Sequence, residues 1–329
     1  MTERIFRQET CLVTGVAGFI GSHLAEALLA RGYRVVGVDA LLDFYPVMMK
    51  RANLAALRRQ AAFDFIEADL RAFDLDNLLA GVNYVFHLAA QPGVRTSWGD
   101  GFSPYVEHNI LATQRLLEAA RKRDISRVIY ASSSSVYGNT PDLPAREQSP
   151  LLPISPYGVT KLAAEHLCRL YSLEHGLPTI SLRYFSVYGP RQRPDMAFHK
   201  FIRAFLLDEP IIVYGDGEQS RDFTYVDDIV QANLAAMHHG SPGASYNVGG
   251  GVHVTVNEVL ALLTTITGKR GNISYQARQL GDAAHTLADT SAARRDLGFA
   301  PSFPLLDGLR RQVQWMDVPF SSVATPDES

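Results

Sequence analysis

Thr14-Gly15-Val16-Ala17-Gly18-Phe19-Ile20-Gly21 is the stretch that decides the fold. It stands between an apolar run read as a strand, Thr10–Thr14, and a run read as a helix, Gly21–Ala30, with Leu24, Ala25 and Leu28 on one face. Glycines at such a turn let the backbone bend sharply and come close to a pyrophosphate. The unpaired N–H groups and positive dipole end of the helix then favour the anion. The spacing is G-x-x-G-x-x-G, not G-x-G-x-x-G. The second strand, Tyr33–Val38, ends at Asp39. A carboxylate there accepts hydrogen bonds from the adenosine ribose and repels a 2′-phosphate, which favours NAD over NADP. On this reading Gly15, Gly18, Phe19, Ile20, Gly21 and Asp39 bind the cofactor, and Asp69-Leu70, after the third strand, borders the adenine.

Outward from that turn, strands and helices alternate. A basic helix is predicted at about Met49–Gln60, a strand at Phe63–Glu67, a helix near Leu75–Leu79 and a strand at Tyr84–Leu88. A long helix over Ser103–Arg123, a strand at Arg127–Ala131, a helix over Tyr157–His175 and a strand at Thr179–Leu182 follow. This rhythm predicts an α/β fold, a Rossmann-type doubly wound parallel sheet. After Ser186 the loops grow richer in Pro, Gly and Arg; Val226–Met237 reads as a helix and Ser245–Val248 as a strand returning to the main sheet. The expected division is an NAD-binding domain over 1–185, with 219–250 returning to it. A smaller discontinuous α/β lobe of 186–218 and 251–318 and a flexible tail at 319–329 complete the chain.

Length suits this two-part plan, since 329 residues exceed one ordinary core. Lys and Arg number 31 against 34 Asp and Glu, with no basic run, so nucleic-acid binding has no electrostatic support. No apolar stretch reaches membrane-spanning length, and Met1–Arg7 lacks a signal peptide's apolar core. Cys11 and Cys168, without metal-ligand spacing, read as buried thiols in a reducing compartment. A cytoplasmic protein without a metal is expected.

Tyr157-Gly158-Val159-Thr160-Lys161 puts a phenol and an ammonium one helical turn apart. The ammonium, with a cationic nicotinamide ring, favours the phenolate, so Tyr157 can take a proton from a substrate hydroxyl. Alone, such a pair marks only a helix face. Upstream, however, Ala131-Ser132-Ser133-Ser134-Ser135-Val136-Tyr137-Gly138 closes a strand at the carboxyl edge of the sheet, where doubly wound folds bind ligands. His87, ending a buried strand, reads as packing beside the cofactor, and His199 as a surface or pocket-wall residue.

With these motifs in order, the chain resembles the nucleotide-sugar epimerase/dehydratase family of extended short-chain dehydrogenases from Thr14 to about Leu309. His87-Leu88-Ala89-Ala90, Leu182-Arg183-Tyr184-Phe185 and Arg221-Asp222-Phe223-Thr224-Tyr225-Val226 fit its pattern as well. The resemblance implies Ser133, Tyr157 and Lys161 as catalytic residues, and further cofactor contacts from Leu88, Ala89, Ala90 and Tyr184. It also implies a homodimer through a four-helix bundle.

Dehydratases and decarboxylases of this family place carboxylates just before V-Y-G, where this chain has Ser134 and Ser135. Without that acid/base pair a 4-keto sugar takes its hydride back, which points to C4 epimerisation with NAD regenerated. Ala89–Arg95 and Gly189–Phe198 resemble the branch acting on UDP-glucuronate. A guanidinium suits its carboxylate, with Arg193 the first choice and Arg191 in reserve. The resemblance also assigns Arg221 to the diphosphate, Phe198 and Val213 in the strand Ile211–Tyr214 to the uracil, and Asp282 to the ribose. Gly93, Arg95, Ser134, Ser135 and Ser186 complete the expected substrate side. Two departures stand out: Gln279 where relatives carry a phosphate-binding Arg, and Ser186 where hexose epimerases carry Asn. The alternatives are a UDP-glucose 4-epimerase, a UDP-glucuronate decarboxylase and a non-catalytic NAD-sensing scaffold.

Overall fold

The computed structural model describes residues 8–321, with side chains through 317. The expectations for Met1–Arg7 and for the tail from residue 322 onward lie outside them. Six strands build most of the sheet: β1 (Thr10–Thr14), β2 (Arg34–Asp39), β3 (Phe63–Glu67), β4 (Tyr84–His87), β5 (Arg127–Ser133) and β6 (Thr179–Tyr184). Short strands β7 (Val187–Tyr188), β8 (Pro210–Tyr214), β9 (Ser220–Asp222) and β10 (Thr224–Tyr225) follow. The chain then returns as β11 (Ser245–Val248) beside β6, before β12 (His253–Thr255) and β13 (Asn272–Gln276). The seven-stranded order is β11-β6-β5-β4-β1-β2-β3, every pair parallel. Connections leave β1 one way and β4 the other, so a crevice opens between their carboxyl ends.

Both faces of this sheet are covered, and its side chains divide between them with period two. Cys11, Val13, Phe86 and Ile129 enter one core, and Leu12, Val85, Val128 and Tyr130 the other. Such a fully buried side chain contributes about 1.5–3 kcal/mol. The flanking helices are α1 (Phe19–Ala30), α2 (Val47–Ala55), α3 (Leu75–Leu78), α4 (Ser103–Tyr105), α5 (Ala112–Ala120) and α6 (Pro156–His175). After them come α7 (Ala197–Leu207), α8 (Val226–His238), α9 (Val256–Thr267), α10 (Ser291–Leu297) and α11 (Leu305–Ser321). Helices α1 and α8 pack together, and α5 packs on α6. β8 pairs with β13, and β9 with β12, outside the main sheet.

Three elements differ from expectation. The helix foreseen over Ser103–Arg123 is α4, a π-helical turn at Val106–Leu111, and α5. The wider turn brings Asn109 inward, where its Oδ1 accepts from Gln91 N at 2.7 Å and its Nδ2 donates to Thr160 Oγ1 at 3.0 Å. The basic helix foreseen at Met49–Gln60 starts right after Pro46, ends at Ala55 and passes into a 3-10 turn at Leu57–Arg59. The last helix, α11, continues to Ser321, into the stretch expected to be tail.

Candidate active site

The glycine turn works by close approach. Gly15 has φ +70°, and a Cβ there would lie 2.8 Å from Ala89 N. A Cβ on Gly21 would lie 2.2 Å from Gly15 O, so α1 can start against the turn only with glycine there. No acidic side chain occupies the first turn of α1. Asp39 closes β2 with its Oδ1 accepting from Leu41 N at 2.8 Å and its Oδ2 from Ala17 N at 3.1 Å. Burial raises its carboxyl above the ordinary value despite these bonds.

These residues open onto a cleft of about 1230 Å³, counting its mouth. Every residue assigned to the cofactor side lines it: the glycine turn with Phe19 and Ile20, Asp39, Asp69, Leu70, Leu88, Ala89, Ala90, Tyr157, Lys161 and Tyr184. Arg71 grips Asp69 (Nη2–Oδ2 2.7 Å) and also pairs with Glu107, which holds the Asp69 carboxyl below the usual range. Sequence reasoning missed Phe44, Tyr45, Lys50 and His108 in the wall. Lys50 donates to Leu42 O at 2.7 Å and lies 4.8 Å from the Tyr45 ring. Its place in a basic helix gave no sign of an inward side chain.

Strand β5 ends in Ser132 and Ser133; the Ser133 hydroxyl donates to Ser135 Oγ at 3.1 Å and acts on the Tyr157 phenol to lower its pKa. The same hydroxyl accepts from Ser135 N at 3.1 Å, which fixes the turn carrying Ser134 and Ser135. Helix α6 begins here because Ser155 caps it, accepting from Gly158 N at 3.1 Å, and Pro156 supplies a preset first residue. Gly158 lets the turn through: a Cβ on it would lie 2.6 Å from Ser135 O. Ser97 Oγ accepts from Tyr157 N at 3.1 Å, and the Tyr105 ring meets the Tyr157 ring edge-on at 6.2 Å. The Lys161 ammonium lies 4.5 Å from the Tyr130 ring centre. Burial pushes Lys161 down to about 7. It also raises Tyr157, while the Ser133 hydrogen bond and the Arg193 charge oppose that rise. In the protein alone, burial outweighs the activation expected for the phenol.

His87 is pinned between Thr14 Oγ1 at 2.8 Å and Thr113 Oγ1 at 2.9 Å, and burial holds its imidazole down to about 3. This neutral ring braces β4 beside the cleft. His199, buried, bonds Gln192 O through Nδ1 at 2.9 Å.

On the substrate side, Arg193 alone among the proposed ligands borders the same cleft. Its guanidinium meets Asp195 through two hydrogen bonds of 2.9 Å. Arg191, at φ +65°, turns instead to Ser22 and Glu26 of α1 and ties the two parts of the chain together. A second group gathers around Asp282, which pairs with Arg95 at 2.6 Å. Arg95 lies 4.4 Å from the Tyr214 ring, and Arg278 donates to the Asp282 carbonyl at 2.7 Å. Arg221 joins this group electrostatically and donates to Ser220 O at 2.8 Å. Phe198 and Val213 are buried in the lobe, with the Phe198 ring tilted 37° against Phe223 at 4.4 Å. Ser186 accepts on its carbonyl from Thr224 N at 2.9 Å. Gly93, at φ +105°, accepts on its carbonyl from the Tyr105 hydroxyl at 2.7 Å.

Residues 11–249 match the model of the NAD dependent epimerase/dehydratase family. The chain is 45% identical to an uncharacterized UDP-glucose epimerase, YtcB, of Bacillus subtilis, over 93% of this chain and 97% of that one. It is 38% identical to a UDP-glucuronate 4-epimerase of Thermodesulfobacterium geofontis, over 92% and 95%. A crystal structure of UDP-glucuronic acid 4-epimerase from Bacillus cereus, in complex with UDP-glucuronic acid and NAD, superposes with a TM-score of 0.92. That match has 43% identity and covers 94% of this chain and 99% of the other. The chain therefore belongs to the NAD-dependent epimerase/dehydratase family.

Proposed function

We propose that this protein interconverts UDP-glucuronate and UDP-galacturonate by inverting C4, with NAD held in the cleft. The observation that carries the reading is Tyr157 and Lys161 in the cleft wall, with Ser133 closing β5 beside the phenol and serines and no carboxylate on the adjoining turn. The residues fit the cofactor. Two glycines leave no room for a Cβ, the N-terminus of α1 is free of acid, and Asp39 closes the adenosine side. Bound NAD supplies a hydride acceptor and a positive ring.

Tyr157, as phenolate, takes the C4 hydroxyl proton while Ser133 shares the hydrogen bond to the same oxygen. Arg193, joined by that positive charge, acts against the burial that raises the phenol, with Lys161 one helical turn away. The 4-keto sugar turns over within the pocket, so that C4 takes back hydride on its opposite face, and Tyr157 returns its proton to the C4 oxygen. Ser134 and Ser135 offer hydroxyls to the sugar and no acid to expel a C6 group. Arg193 faces the carboxylate. Arg95, Arg221 and Asp282 hold the nucleotide, with Ser186 and Gly93 along the sugar path and Phe198 and Val213 behind the uracil. In this assignment the lobe of 186–218 and 251–318 is the nucleotide-sugar module, and 1–185 with 219–250 the cofactor module.

A neutral hexose, UDP-glucose, is favoured by one observation: Asp195 already neutralises Arg193. The test is incubation with UDP-glucuronate and, separately, UDP-glucose. UDP-galacturonate from the first supports the proposal; UDP-galactose alone transfers it to the hexose. Carbon dioxide with a UDP-pentose would mean that the keto acid loses its carboxylate instead.

A homodimer is supported by the exposed stripe Val159, Leu170 and Leu173 on α6 beside Leu111. No described helix is long and apolar enough to cross a membrane. Cys11 and Cys168, both free and buried, suit the reducing cytoplasm.

A further inference from the structure

Behind the catalytic turn, three strands and a helix meet at one carboxylate. Glu165 lies one turn beyond Lys161 on α6 and is buried. Its Oε2 accepts from Ser132 Oγ at 2.5 Å, the residue before Ser133. Its Oε1 accepts from Ser245 Oγ of β11 at 3.0 Å. Arg183 of β6 donates from Nη2 to Oε1 at 2.5 Å and from Nε to both oxygens at 3.1 Å. Arg183 is buried too, and its Nη1 donates to the Tyr137 hydroxyl at 2.6 Å and to Glu147 O at 3.0 Å. The Tyr137 hydroxyl in turn donates to Asn247 Oδ1 at 2.7 Å.

A buried ion pair is a poor stabilising device, because taking two charges out of water costs several kcal/mol each, and a hydrophobic pair of like shape often serves as well. Its position explains it better. Glu165 reaches the strand end bearing Ser133 and shares a helix face with Lys161. The groups acting on or touching the Lys161 ammonium are Cys168 and Glu165 from its own helix, the Tyr130 ring from β5, and His87 from β4. Burial keeps the Cys168 thiol and Tyr130 phenol protonated and the imidazole neutral. Among the described residues, Glu165 is thus the carboxylate acting on Lys161, and its charge opposes the burial that strips the ammonium of its proton.

We propose that Glu165, locked by Arg183, is a positioning residue whose negative charge holds the Lys161 ammonium beside Tyr157 while its bond to Ser132 sets the strand end carrying Ser133. This rests on the reading that Ser133, Tyr157 and Lys161 carry the chemistry. A lysine keeps its charge below its pKa, so losing the carboxylate makes the ammonium disappear at lower pH.

The test follows the Lys161 side chain by NMR titration of the NAD-loaded protein, with Lys161→Met identifying its signal, alongside the pH profile of kcat/KM. In Glu165→Gln the titration midpoint falls by about one pH unit or more, the alkaline limb of the profile moves with it, and KM changes little. Glu165→Asp restores most of both. An unmoved midpoint and limb with a lowered rate would reduce Glu165 to packing and overturn the proposal. Should Glu165→Gln fail to fold, Arg183→Gln gives the opposite sign, since it leaves the Glu165 carboxylate unopposed. The Lys161 midpoint then rises, and an unmoved or lowered midpoint overturns the proposal equally. If the midpoint shifts but the wild type epimerises no UDP-sugar, the positioning role stands and the substrate reading falls.

Discussion

The cofactor cleft and the substrate lobe hold their polar groups in opposite ways. In the cleft, backbone does the shaping: two glycines leave no Cβ room, a helix N-terminus faces the opening, and one carboxylate at a strand end is tied by two backbone amides. In the lobe, side chains hold one another. Arg193 is matched to Asp195, and Arg95 to Asp282. A backbone-built site is shaped before its ligand arrives. A site of paired charges must exchange internal partners for ligand, which suits a sugar that has to turn over and leave.

The largest break in this comparison comes from the chemistry at the junction. Tyr157→Phe should lower kcat about 10²–10⁴-fold with NAD content unchanged, as read by product assay and by cofactor released on denaturation. Intact turnover would place the base elsewhere. Next comes the backbone-built side. Gly21→Ala sets a methyl 2.2 Å from Gly15 O, so the turn must move, at about 1–3 kcal/mol. The variant should purify largely free of NAD, while full occupancy would show that the turn can yield.

The charge-built side sharpens the contrast. Arg193→Ala removes a charge-assisted bond of about 1.5–3 kcal/mol. UDP-glucuronate turnover should fall about 10–100-fold, and UDP-glucose turnover far less. Equal losses would remove the guanidinium from the carboxylate. Last comes a slope in stability. Lys161 sits at about 7 in the fold against 10.5 ordinarily, so the folded chain binds fewer protons across that window. Stability of cofactor-free protein should therefore rise between about pH 7 and 10.5. Denaturant melts of Lys161→Met should lack that component, and identical slopes would place the ammonium in water.

How far the sequence could be read follows the same division. The strand–glycine–helix run and its acid at the next strand end are local patterns, so the sheet and cleft wall were legible from a few residues. Tyr157 and Lys161 were legible because a helix fixes their spacing. Two things were not. The phenol's surroundings depend on the depth of burial, and a spacing of four residues carries no depth. The pairing of Arg95 with Asp282 spans 187 positions, and neither residue's neighbours announce the other. Lys50 and Tyr105 reach the site for reasons of packing that only the folded chain displays.

The π-helical turn at Val106–Leu111 makes the protein unusually sensitive to length rather than to chemistry. One residue fewer there would restore a regular coil and rotate the preceding side chains by about 100°. Asn109 would swing away from Gln91 and Thr160, and with it the brace between the loop after β4 and the turn of α6 that separates Tyr157 from Lys161. A single-codon deletion in this segment should therefore harm the enzyme more than most point substitutions nearby. Insertions fixed in related genes are best sought outside it, in the loops flanking α4 and α5.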